Sequence, residues 1–398
     1  MSRSYLAKNV QALQPSGIRK FFDLASKMDN VISLGVGEPD FVTPWNVIEA
    51  SYHSLEKGYT AYTANAGLLE LREEISKYLW NEFNLSYQAD NQILITVGAS
   101  QAIDLALRSI IEPEDEVVVV EPSFVSYSPA VTLAGGKAIP VSASADNEFK
   151  IQAEQLEKVI TSKTKAIVLC SPNNPTGTVL NRNELEQIAN VVKKHDILVI
   201  SDEIYAELSF DEKAISIASI PGMAERTIVV SGFSKAFAMT GWRLGYACGP
   251  VEIIDAMTKI HQYTMMCAPT MAQYGALEAL KNGMDSVEEM KMSYRQRRNY
   301  VVNALNEMGL SCHVPGGAFY VFPSIKETGM KSEEFAQRLL EEERVAVVPG
   351  EVFGESGEGY IRCSYATSIK QLEIALQRMA RFVEKYRIRQ KDLNVSSS

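Results

Sequence analysis

The sequence predicts an α/β protein: a seven-stranded, mainly parallel sheet with helices between its strands, followed by a smaller α+β unit. Three observations carry that prediction. Seven short runs rich in Val, Ile or Leu, at 92–96, 117–121, 138–141, 166–170, 198–202, 228–232 and 244–248, each end near Gly, Pro or a polar residue. Helical patterns such as 101–111 and 183–195 separate them, which is the strand–helix–strand order of a mainly parallel sheet. From about residue 251 the pattern changes to longer helices. One is a charged stretch over 285–308 with Val287, Met290, Tyr294, Val301 and Leu305 near one face.

Strands at 319–325, 345–348 and 360–366 and a helix at 368–386 complete the smaller unit. The expected division is an N-terminal segment over 1–40 that packs on the smaller unit and the site, a large α/β unit over 41–285, the small α+β unit over 286–386, and a flexible tail over 387–398 with little to bury. A chain of 398 residues is too long for one ordinary core, and 46% hydrophobic with 22% charged residues is a globular composition. The net charge of −10, with no long basic run, argues against a nucleic-acid surface. The five cysteines are scattered without a C-x-x-C pair, as expected of a reduced compartment, and the four histidines show no zinc spacing, so no metal is expected. No stretch approaches the roughly 20 apolar residues that span a bilayer, and the N-terminus lacks the apolar core of a signal peptide. A cytoplasmic protein with no membrane partner is the expectation.

Ligands of an open parallel sheet collect outside the carboxyl ends of its strands. Five of the predicted strands end in polar residues: Gly98-Ala99-Ser100, Glu121 to Phe124, Ser171 to Gly177, Asp202 to Tyr205, and Lys235 just after the sixth run. Gly98 to Ser100 open a helix whose free N–H groups suit a phosphate, and Arg243, eight positions after Lys235, could add a charged fork. A lysine that forms a Schiff base must lose much of its ordinary pKa of about 10.4, which desolvation or neighbouring cations achieve. Asp202 closes an apolar strand, where a carboxylate needs a cation or a donor, such as a protonated ring nitrogen. Each feature has a plainer reading: a capped helix start with a solvated lysine, an arginine paired with a carboxylate, a strand end with solvated acids, an Asn-Pro turn, and Phe124 as ordinary core.

Taken together, the chain resembles the class I aminotransferases of the gamma branch, which are fold type I pyridoxal-phosphate enzymes. The matching stretches are Ser33-Leu-Gly-Val-Gly-Glu-Pro-Asp40, Tyr62 with Gly67 five residues on, Asn173-Asn-Pro-Thr-Gly177, Asp202-Glu-Ile-Tyr205, Ser234-Lys-Ala-Phe-Ala-Met-Thr-Gly-Trp-Arg243, and Arg362. The likeness runs from Pro15 to about Tyr386. It implies that Lys235 tethers pyridoxal 5'-phosphate and serves as general base and acid, that Asp202 pairs with the ring nitrogen, and that Tyr205 and Asn174 contact the ring oxygen. It implies that Phe124 stacks on the ring, and that Ala99, Ser100, Ser234 and Arg243 hold the phosphate. Tyr62 would reach that phosphate from the other subunit of a homodimer. Arg362 would clamp the substrate α-carboxylate, with Gly37 packing nearby and Ile18 over the pocket. Where some relatives have a serine phosphate ligand, Gly232 offers no hydroxyl.

The resemblance implies ping-pong transfer of an amino group between an L-amino acid and a 2-oxo acid. 2-Oxoglutarate and glutamate would form one pair, with alanine, aspartate or an aromatic amino acid as donor. A C–S β-lyase acting on cysteine derivatives would use much the same ring-binding residues and stands as the alternative. A dinucleotide-binding dehydrogenase fails, because Pro39 and Asp40 follow Gly35-Val36-Gly37 where a helix with a third glycine would be needed. No arginine has a spacing that marks it for a distal carboxylate; Arg19, Arg108 and Arg295 are all available.

Overall fold

The computed structural model describes residues 5–14, 17 and 26–396, with side chains through Arg387. All seven predicted strands form one sheet. In chain order they are β2 (Ile93–Thr96), β3 (Glu116–Glu121), β4 (Lys137–Ser142), β5 (Thr164–Cys170), β6 (Leu198–Asp202), β7 (Thr227–Gly232) and β8 (Gly245–Cys248), after a short β1 (Ile32–Ser33) that belongs elsewhere. Their order across the sheet is β2-β8-β7-β6-β5-β3-β4. Strand β8 runs antiparallel to β2 and β7, and the other pairs are parallel.

The strands read as continuous apolar runs because both faces of the sheet are covered. Successive side chains alternate between the two layers. Val117, Val119, Val168 and Ile200 pack with Ala102, Leu105 and Ala106 of the helix Gly98–Ile110. Val118, Ile167, Leu169 and Val199 pack with Leu185, Ile188 and Val192 of the helix Arg182–His195. A capping box starts that second helix: the Glu184 N–H donates to Asn181 Oδ1 at 3.0 Å, and the Asn181 N–H donates to Glu184 Oε2 at 2.7 Å.

The smaller core gathers Tyr294, Phe319, Phe335, Val345, Ile361, Leu372 and Phe382. Its three-stranded antiparallel sheet has β9 (Tyr320–Val321), β11 (Val348–Pro349) and β12 (Ile361–Ser364), while β10 (Val345–Ala346) pairs in parallel with β1. The long helix Met284–Glu307 lies where the charged amphipathic stretch placed it. The last helix, Ile369–Ser396, runs past the expected end at 386, so residues 387–396 are helical. No Gly or Pro follows Tyr386, and Arg, Gln, Lys and Leu all favour helix.

Residues 32–40 form a strap along the smaller core that meets Lys235 of the large unit at the Gly37 carbonyl. At one end Ser364 N–H donates to Leu34 O at 2.6 Å; at the other, Arg297 Nη1 reaches both oxygens of Asp40 at 2.7 and 2.8 Å.

Candidate active site

The polar strand ends do converge, on a cavity of about 290 Å³. It is lined by Ala99, Ser100, Phe124, Asn174, Asp202, Tyr205, Ser234, Lys235, Arg243 and Arg362, with Gly37 from the strap. Tyr62 is not among the lining residues and is 79% exposed; Ile18 lies outside the described residues.

Lys235 follows β7 and donates from Nζ to the Gly37 carbonyl at 2.6 Å. Burial lowers its pKa to about 8; the Glu38 carboxylate opposes that, and Arg362 and Arg243 reinforce it. Asp202, at the end of β6, is buried, which raises its pKa, and two donors oppose the shift. Tyr127 Oη donates to its Oδ2 at 2.7 Å, and the Ile204 N–H to its Oδ1 at 3.2 Å. A buried carboxylate held this way is oriented yet keeps acceptor capacity for a cationic N–H.

Arg243 and Gly98 require each other. Gly98 has φ +77°, and a Cβ there would lie 2.6 Å from Arg243 Nη2, so the guanidinium rests directly on the helix's first residue. Arg243 itself is exposed and donates from Nη1 to the Thr240 carbonyl at 2.9 Å, which leaves the carboxylate-paired reading of this arginine without support. A cation over a helix start is an anion site. Gly232 faces the backbone of β8: a Cβ there would meet Gly245 Cα at 2.8 Å and the Leu244 carbonyl at 2.9 Å, so the missing serine has no room.

Arg362, on β12, is 3% exposed, yet both of its bonded groups go to uncharged acceptors. Nη1 donates to Asn174 Oδ1 at 2.9 Å and Nη2 to the Gly35 carbonyl at 2.6 Å, while Nε has no partner among the described residues. Its guanidinium lies between the rings of Tyr320, 4.5 Å to the centroid, and Phe353, 4.9 Å. A buried arginine without a carboxylate calls for an anionic ligand. The structural ion pair therefore fails here, whereas Arg108 and Arg295 do hold such pairs, with Asp104 and Asp211.

The residue patterns did not flag Tyr127, Cys170, Glu38 or Tyr320, all of which line the cavity. Only the spacing of Tyr127, three residues after Phe124 at the start of the helix Tyr127–Leu133, could have pointed to it.

Comparison with known proteins decides the family. The pattern described as "Aminotransferase class I and II" matches residues 29–379. The chain belongs to the class I and II aminotransferases. The Bacillus subtilis protein YugH is 65% identical over 382 residues, covering 96% of this chain and 99% of that one. An aromatic-amino-acid aminotransferase of Thermococcus litoralis is 45% identical, covering 96% and 99%. The structure of a Thermus thermophilus aspartate aminotransferase with maleate superposes with a TM-score of 0.91 at 39% identity, covering 95% of this chain and 100% of that one. This aminotransferase is a pyridoxal-phosphate enzyme of that fold. Its cavity fits the coenzyme by the same chemistry: an amine of lowered pKa, a buried acid, a helix start under an arginine, and an arginine with an unpartnered Nε. Among the described residues no helix is long and apolar enough to cross a membrane.

Proposed function

We propose that this aminotransferase moves an amino group between an L-amino acid and a 2-oxo acid in two alternating half-reactions, with 2-oxoglutarate and glutamate as one pair. The donor is aspartate, an aromatic amino acid or alanine; relatives carry the first two names. The observation that carries the reading is that Lys235 and Arg362 share one cavity, the first with a pKa near 8 and the second buried without an acid.

Pyridoxal phosphate supplies a ring that accepts the electron pair released at the substrate's α-carbon. The chain's residues do the rest. Lys235 would tether the coenzyme and take and return the substrate's α-proton on Nζ. Asp202, steadied by Tyr127, keeps the ring nitrogen protonated. Tyr205 and Asn174 would contact the ring oxygen, Phe124 would stack on the ring, and Ala99, Ser100, Ser234 and Arg243 would hold the phosphate. Arg362 would orient the α-carboxylate, with Gly37 packing nearby.

A second copy of the chain completes each site in this reading, bringing Tyr62 to the phosphate. Tyr52, Tyr62, Tyr263 and Met265, 62%, 79%, 86% and 47% exposed, would meet it. Five cysteines, all free, accord with a cytoplasmic setting.

The test is a screen of the purified holoenzyme against single amino acids, followed by 2-oxoglutarate. Stoichiometric glutamate with parallel-line kinetics supports the proposal. Ammonia and pyruvate released from cysteine derivatives, with no glutamate, would mark elimination and sink it.

A further inference from the structure

Tyr320 stands between two groups that the reaction uses for different purposes. Its ring carries the Arg362 guanidinium on one face at 4.5 Å, and its hydroxyl lies 2.9 Å from the hydroxyl of Tyr205. It is 1% exposed, and its Oη sits so close to the strap that a Cβ on Gly37 would come within 2.7 Å of it. Arg362 and Tyr320 stand on neighbouring strands, β12 and β9, paired through Cys363 with Val321 and Ser364 with Tyr320. Tyr205, by contrast, follows β6 of the large sheet. The two hydroxyls thus link the end of a large-sheet strand to the smaller sheet, inside one core that holds both rings.

We propose that Tyr320 is a positioning residue that couples occupancy of the carboxylate clamp at Arg362 to the hydrogen bond that Tyr205 gives the coenzyme ring. This rests on the roles proposed above for Arg362 and Tyr205. If Tyr205 donates its single proton to the ring oxygen, it accepts from Tyr320, because a phenol has one O–H to give. A donor that is itself polarised strengthens the next bond in the chain. The guanidinium on the Tyr320 ring withdraws charge from that phenol and makes its O–H a better donor. A substrate carboxylate at Arg362 neutralises the cation and so weakens Tyr320 as donor, which in turn weakens Tyr205 toward the ring oxygen. The charged and titratable groups acting on Tyr320 are Arg362, Tyr205, Cys170 and Glu38, and only Arg362 is a cation.

The test uses the holoenzyme and an unreactive dicarboxylate such as maleate, reading the pH midpoint of the visible band of the bound coenzyme. In the parent protein the midpoint rises when maleate binds, since a weaker donor to the ring oxygen favours the protonated form. Tyr320→Phe keeps the ring under Arg362 and removes only the hydroxyl. Its ligand-free midpoint should lie higher by about half to one pH unit, the scale of one hydrogen bond, and its further rise with maleate should be smaller than the parent's. Phe353→Leu, which alters the other face of Arg362, should weaken maleate while keeping the parent's rise at saturation. An unchanged ligand-free midpoint and an undiminished rise in Tyr320→Phe overturn the coupling. Should that variant not fold, Gly37→Ala pushes on the same hydroxyl and must show the diminished rise, or the proposal falls. Failure of the roles given to Tyr205 and Arg362 looks different: Tyr205→Phe would leave the parent's ligand-free midpoint unmoved, or Arg362→Gln would bind maleate as the parent does.

Discussion

Asp202, Ser100 and Lys235 stand at the ends of strands of four to six residues buried in the large sheet, whereas Gly35, Gly37, Tyr320 and Arg362 stand on an extended strap and on strands of two to four residues. The first wall is fixed by sheet and helix packing, and its polar groups bind one another through short-range bonds such as Tyr127 to Asp202. The second is tied through neutral acceptors, Asn174 Oδ1 and the Gly35 carbonyl, that an incoming carboxylate can replace. A wall built for permanence suits a resident coenzyme, and a wall whose bonds can be exchanged suits a passing substrate. Substitutions on the first wall should therefore damage coenzyme chemistry, and those on the second should change substrate affinity.

The largest effect is expected at Lys235. Lys235→Ala removes both tether and proton carrier, so turnover with any amino donor should fall by more than the roughly 10²–10⁴-fold typical of losing a general base. The visible band of the tethered coenzyme should vanish with it. A retained band would move the tether elsewhere and dissolve the distinction between the walls. Asp202→Asn comes next: coenzyme should still bind, with kcat lower by about 10²–10³-fold, the scale of a lost preorganised electrostatic contact.

Arg362→Gln tests the opposite wall. Its charge-assisted bonds are worth about 10- to 100-fold in affinity, so KM for both amino and oxo substrates should rise while the visible band stays as in the parent. A loss of coenzyme from this variant would show that the walls are not separable.

The same contrast explains what the sequence made legible. The large sheet announces itself because strands buried on both faces must be runs of Val, Ile and Leu, and its site residues follow those runs directly. Strands β1, β9, β10 and β11 have two residues each, too short to display a period of two, and the strap's pairing of β1 with β10 joins residues more than 300 positions apart. Arg362 was legible as a clamp only through the family resemblance; its own residue pattern fitted an ion pair equally well, and only the structure reveals that no acid meets it. Tyr127 and Tyr320 escaped notice because their partners lie 75 and 115 residues away, with nothing local to mark them.

The smallest expected effect crosses from one wall to the other. Lys235 has a pKa of about 8, lowered first by burial, and Glu38 on the strap is the foremost group resisting that shift. Only the uncharged amine attacks the coenzyme's aldehyde, so the rate at which coenzyme-free protein captures pyridoxal phosphate should rise with pH through a midpoint near 8. An ordinary lysine would place it near 10.4. An anion beside an ammonium favours the protonated form, so Glu38→Gln should move the midpoint downward and speed capture below pH 8. Stopped-flow absorbance across a pH series measures this, with Glu38→Asp expected to retain the parent's midpoint more closely than Gln does. An upward move, or none, would mean that the strap does not reach Lys235 electrostatically, and that its hold on the amine is confined to the Gly37 carbonyl.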